Sequence, residues 1–324
     1  MINNNEANKA IKKLMKKDFN KLGIALILKE LLLYGIIIAL GIGVAVIEII
    51  KNSNISDEQI DNIFNKPSFQ GTSSILVVLI AFIPILVYRG KKFFQYDLKV
   101  VNRKFTLKIV TISFIILFAA NNLLGLFTDG LEWGLNTIGF SANSALDILK
   151  DINQPVISMI IYSCIVGPIV EECIYRGAVL RSLEKYGRRF AILASGILFG
   201  LMHGNFYQVF MAIIIGIILG YLATEYSIKL TILLHMLNNT CVQVLSDINS
   251  HVSENTVNII SIIVIVISTI ILIMAFVYYK DYIKEWLENN KIEKRVMVRF
   301  FTSFTIILVI LLDLLIVVSD IVKL

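Results

Sequence analysis

Charge is what this chain has least of. Only 17% of its 324 residues are Asp, Glu, Lys or Arg, whereas soluble domains carry about a quarter. That scarcity excludes a solvated globular surface over most of the length. Histidine and cysteine are scarcer still, with three of each. Cys164, Cys173 and Cys241 all lie in apolar runs and form no CxxC pair, which argues against a disulfide framework or a cysteine–zinc site. No internal repeat and no low-complexity tail occurs. Nucleic acid is also excluded as a partner. The net charge is +6, but no basic patch is interleaved with aromatics, and the Lys and Arg residues cluster in alternate loops.

What remains is hydrophobic: 57% of the residues are apolar and the mean hydropathy is +0.78. Runs of about 20 apolar residues are long enough to cross a bilayer as helix. Candidate spans fall near 31–50, 73–88, 109–127, 155–180, 190–205, 206–223, 228–245, 256–279 and 300–323. The expected fold is all-α, a polytopic transmembrane helical bundle of about eight to nine spans, the first or last of which could be peripheral. The second span is short and contains Pro84. Residues 17–31 are expected at the interface before the first span turns inward. The first apolar run is long and lacks a small-residue cleavage site, so it reads as a retained signal-anchor. Loops 1–21, 89–108, 181–189 and 280–299 are basic, whereas 51–72, 128–154 and 246–255 are acidic. This alternation places the N-terminus in the cytoplasm. Abundant Asn, Ile and Lys suggest a bacterial plasma membrane. Residues 135–149 fit an interfacial helix or a plain connecting loop equally well.

Three polar strings interrupt the apolar spans: Glu171-Glu172-Cys173-Ile174-Tyr175-Arg176-Gly177, Phe199-Gly200-Leu201-Met202-His203 and His235-Met236-Leu237-Asn238-Asn239. Ionisable groups are costly in lipid and mark pathways or reactive sites. Gly187 suits the tip of a hairpin. Glu171 and His203 lie equally far from it in sequence, so antiparallel helices would bring them to one depth, roughly 24 Å from the tip. His235 lies about 12 Å of helix beyond the turn at Ser227, so all three strings can share a layer nearer the cytoplasmic face. Glu172 and Arg176 are spaced i,i+4 and can pair. His235 and Asn239 share that spacing, as do Phe199 and His203, which puts an aromatic wall one turn from the imidazole.

The ordered set Glu-Glu-x-x-x-Arg, Phe-x-x-x-His and His-x-x-x-Asn, embedded in spans, resembles the CAAX-protease and bacteriocin-processing (CPBP, Abi) family of intramembrane proteases. The resemblance covers about residues 155–245 and implies three parts of one membrane domain: N-terminal helices over 1–154, a catalytic core of four helices over 155–245, and C-terminal helices over 246–324. It implies an intramembrane endopeptidase, type II CAAX prenyl endopeptidase-like, acting on a membrane-associated peptide or protein; bacterial relatives are linked to bacteriocin maturation or self-immunity. Glu171 is then the expected general base and His203 its partner in holding the water. His235 and Asn239 are expected to donate to the developing oxyanion. Glu172, Arg176 and Phe199 are expected to support them. Asn239 is preferred over Asn238 because it matches the family position.

Glu171, His203 and His235 also make one carboxylate and two imidazoles, a set able to hold a divalent metal such as zinc. Both the metal-free and the metal reading stay open on the sequence. Other intramembrane proteases are disfavoured. No His-Glu-x-x-His occurs, Ser195-Gly196 follows Leu193-Ala194 rather than completing a Gly-x-Ser-Gly, and neither Asp313 nor Asp320 sits in a Gly-x-Gly-Asp. Two rival functions remain: a transporter or ion-coupled permease relaying protons through Glu171, His203 and Asp313, and a non-catalytic bacteriocin-immunity membrane protein.

Overall fold

The structure, a computed structural model, describes residues 4–145 and 155–324. Twelve helices account for most of those residues. Helix α1 (Asn4–Lys51) is followed by α2 (Asp57–Phe64), α3 (Pro67–Ala81), α4 (Ile83–Arg89) and α5 (Leu107–Thr137). Next come α6 (Ile157–Tyr186), α7 (Arg188–Leu201), α8 (Phe206–Glu225) and α9 (Ile228–Ser250). The chain closes with α10 (Glu254–Asn289), α11 (Lys294–Phe301) and α12 (Phe304–Ser319). Two short strands, β1 (Phe140–Ser141) and β2 (Val322–Lys323), pair antiparallel and tie the loop after α5 to the end of α12.

Seven helices among the described residues are long and apolar enough to cross a membrane: α1, α3 with α4, α5, α6, α8, α9 and α10. Helices α11 and α12, bent by 65° at their junction, make an eighth if counted together. The expected span at 190–205 differs. Helix α7 has 14 residues, roughly 21 Å, and stops at Leu201. Gly204 (φ 60°) turns the chain, and Asn205 caps α8 by accepting hydrogen bonds from the Tyr207 and Gln208 N–H groups. His203 therefore sits in a turn rather than on a helix. Of the stretch at 135–149, residues 135–137 end α5 and 140–141 form β1, while 146–149 lie outside the described residues.

Helix α1 is continuous from Asn4, so residues 17–31 form no separate interfacial segment. Its two halves do differ. Met15, Phe19, Leu22, Ala25 and Leu26 are buried in the main core, together with residues of α6, α7, α11 and α12. Residues 31–50 contain no buried position. Phe19 packs edge-on against Phe300, and Thr305 donates to the Asn20 carbonyl at 2.9 Å.

The basic loops gather at one end. There Arg89 grips Asp97 with two bonds of 2.6 Å, Arg188 pairs with Glu225 at 2.8 Å and Lys185 pairs with Asp18. At the opposite end Glu132 accepts from Ser141 and Tyr207, and the Asp320 carboxylate accepts from the Phe206 N–H at 2.9 Å.

Candidate active site

Helix α6 presents the first polar string on an irregular backbone. Pro168 has no N–H and its ring clashes with the carbonyl one turn back, and the helix widens to π geometry over Tyr162–Val166. It widens again over Cys173–Val179. Glu171 and Glu172 close the short α-helical stretch between these two segments. Such widened turns recur at functional sites. In the second, the Tyr175 carbonyl accepts from the Ser195 hydroxyl of α7 at 2.8 Å, locking the widened turn to its neighbour.

Glycines let α7 and α8 approach. A Cβ on Gly200 would lie 2.8 Å from the Ile213 nitrogen and 2.8 Å from the Val209 carbonyl, and one on Gly216 would lie 2.9 Å from the Phe199 ring. This close approach seats Phe199 at the centre of the layer. Its ring lies under the Arg176 guanidinium at 4.0 Å and meets His203 edge-on at 4.9 Å and His235 at 5.9 Å. The expected aromatic wall is present, and it touches three of the polar side chains.

Glu172 and Arg176 are fully buried and pair at 2.9 Å, as their spacing predicts. Arg176 also donates to the Gly216 carbonyl at 3.3 Å. A contact the sequence did not suggest joins Glu172 Oε1 to His235 Nδ1 at 3.0 Å. A carboxylate only accepts, so Nδ1 carries the proton and the ring is fixed in orientation. Its other nitrogen, Nε2, lies 3.9 Å from Glu171 Oε2. His235 is thus held between two successive carboxylates, one sealed and the other, Glu171, 20% exposed. His203 Nδ1 donates to the Phe199 carbonyl at 2.8 Å, which leaves its Nε2 as an acceptor. Glu171 acts electrostatically on His203.

Asn239 is placed differently from the other expected site residues. Its amide donates to the Ser163 carbonyl, in the first widened turn of α6, at 2.9 Å, so it ties α9 to α6. The neighbouring Asn238 is buried, and its amide nitrogen lies 3.4 Å from Asn239 Oδ1.

The donor set considered for a metal is not assembled as one. No group of three or more His, Cys, Asp or Glu side chains among the described residues is placed to hold a metal ion. The three cysteines are free thiols.

Asp313 lies outside this layer. It is buried on α12 and interacts with the buried pair Lys29–Glu30 of α1, whose charged atoms are 2.6 Å apart. Lys29 in turn lies 5.9 Å over the Tyr175 ring. This second polar cluster had only Asp313 as its signal in the sequence, because Lys29-Glu30 reads as the polar flank of the first span.

Residues 153–241 match a family model described as Rce1-like, type II CAAX prenyl endopeptidase. Over 91 residues the chain is 38% identical to the Bacillus subtilis (strain 168) protein named "Putative membrane peptidase YdiL". That similarity covers 26% of this chain and 37% of the relative, so the chain spans little more than a third of that protein's length. No solved structure matches. The matched segment carries all three polar strings, in agreement with the CAAX-protease resemblance.

Proposed function

We propose that the protein is an intramembrane peptidase that hydrolyses a peptide bond of a membrane-associated peptide or protein, with Glu171 and His203 activating the water. The observation that carries this reading is the fixed imidazole of His235, bound by buried Glu172 on one side and facing the partly exposed carboxylate of Glu171 on the other. Glu171 and His203 Nε2 are both acceptors. A water between them gives a hydrogen bond to each and keeps an oxygen lone pair directed at the carbonyl carbon. As the C–O bond forms, Glu171 takes the water proton and then passes it to the amine nitrogen as the C–N bond breaks.

With Nδ1 committed to Glu172, His235 Nε2 carries a proton only as imidazolium, and in that form it donates to the oxyanion. Asn239, tied to the Ser163 carbonyl, supports the reading as a strut that holds α9 against α6; Asn238 and Asn239 become oxyanion donors only if that tie is exchanged. No step requires a metal. The bilayer is the solvent of the reaction, the basic end faces the cytoplasm, and the substrate is a peptide or a membrane-protein terminus.

The test is cleavage of membrane-anchored reporter peptides by the full chain in liposomes. Glu171→Gln and His203→Ala should each slow cleavage by about 10²–10⁴-fold, the usual worth of a positioned acid–base group, while the thermal midpoint stays close to that of the parent. Undiminished cleavage by either variant would remove these residues from the mechanism.

A further inference from the structure

An open groove of about 380 Å³ lies at the basic end of the molecule, between the start of α7 and the final turns of α10. Four cations line it: Arg189 from α7, Lys280 and Lys284 from α10, and Lys291 from the connection just after α10; Glu288 is its single acid. Lys280 and Lys284 are spaced i,i+4 and share one face of α10, and Lys291 follows just past the helix end at Asn289. The other acids of this stretch, Asp281 and Glu285, do not line the groove. None of the four cations is in an ion pair or side-chain hydrogen bond among the described residues. Several other cations at this end are paired, as in Arg89–Asp97, Arg181–Glu184 and Arg188–Glu225. Four unmatched like charges around one hollow repel one another, and an anion relieves that repulsion.

Two further features indicate what kind of anion. The groove has apolar walls, Ile283 and Leu287, which inorganic phosphate would leave unused. Its level along α10 is also marked by Tyr278, Tyr279, Tyr282 and Trp286. Amphipathic rings gather where a bilayer passes from acyl chain to headgroup. Immediately before them Phe276 and Val277 are exposed, as expected of a lipid-facing surface. Tyr282 and Trp286 are anchored to α8 through Tyr221 and Glu225, so the groove is held at this depth.

We propose that this groove is a binding site for the phosphate of an anionic phospholipid, with Ile283 and Leu287 contacting the glycerol and first methylenes. Basic pockets between helix ends at the cytoplasmic face are suited to such headgroups. The bound lipid bridges α7, which leads to His203, and α10, whose apolar window lies along α5 but is almost wholly unburied. The inference does not rest on the peptidase reading.

The test is thermal unfolding of the full chain in neutral detergent, titrated with phosphatidylglycerol, phosphatidylcholine or inorganic phosphate. Phosphatidylglycerol should raise the midpoint saturably, as a ligand selective for the native state does; the other two should not. The K280Q/K284Q/K291Q variant should keep the lipid-free midpoint and bind phosphatidylglycerol at least tenfold more weakly, while K91Q/K92Q, on a different exposed loop, should bind normally. Arg189→Gln alone, on the facing wall, should also weaken binding and gives a second reading if the triple variant does not fold. An equal shift with phosphatidylcholine, a full shift with phosphate alone, or an undiminished shift in the groove variants each overturns the proposal, as does an equal loss in K91Q/K92Q.

Discussion

Adjacent carboxylates in this site have different environments, and their variants should separate. Glu172 is sealed between Arg176 and His235. Glu172→Ala strands a buried guanidinium, which costs about 3–5 kcal/mol, and should appear first as a lowered thermal midpoint. Glu171 is partly exposed and has only His235 within 4.0 Å as an ionic neighbour among the described residues, so Glu171→Gln should leave the midpoint nearly unmoved while cleavage fails. A melting curve of the two variants side by side tests the distinction. Chelation bears on the same residues. EDTA should leave the rate unchanged, and a loss restored by added zinc would reinstate the metal set. At this scale the sequence was informative where a single element decides the outcome. The Glu172–Arg176 pair follows from i,i+4 spacing, and the Phe199–His203 contact forms at that spacing although His203 lies in the turn after α7. The Glu172–His235 bond was not legible, because it depends on how α6 and α9 face each other and on the backbone widening around Pro168. The tie from Asn239 to Ser163 was hidden for the same reason, since it needs a main-chain carbonyl turned outward by that widening.

Among the elements, α7 and α8 show how small residues position the site. In Gly200→Ala the added Cβ would meet the Ile213 side chain and, behind it, the backbone of α8 at Ile213 and Val209, which cannot rotate away. Overpacking of this kind costs about 1–3 kcal/mol, and because Phe199 and His203 lie on the same segment, the variant should lose activity along with stability. Gly35→Ala, on the unpacked half of α1 with nothing within 4 Å, should shift stability by no more than about 0.5 kcal/mol. Comparing the two midpoints in one detergent checks both. The limits of the spans were readable from hydropathy, with one instructive exception. Apolar composition continues from 190 to 205, but Gly204 and Asn205 form a turn and a cap that end α7 early. Those two residues are ordinary stop and start signals, and the hydrophobic run around them masks the boundary.

On the scale of the whole molecule, the segments without any motif are part of what holds the site. Helices α1 and α12 share the main core with α6 and α7, and α1 brings Lys29 to within 5.9 Å of the Tyr175 ring, which itself packs against Phe199. Removing residues 294–324 should therefore abolish cleavage and expose α1 to limited proteolysis, although every polar string remains. Retained cleavage in that truncated chain would show α11 and α12 to be dispensable. Nothing in the sequence predicted this dependence, because apolar helices advertise their depth but not their neighbours. The Lys29–Glu30 pair also imposes an order on biogenesis. The ribosome delivers these two charges before Asp313 and the rest of α12. Until then the pair must wait in a temporary shelter, such as the insertion machinery or the water at its mouth. Helix α1 thus enters the bilayer well before the partner on which it settles.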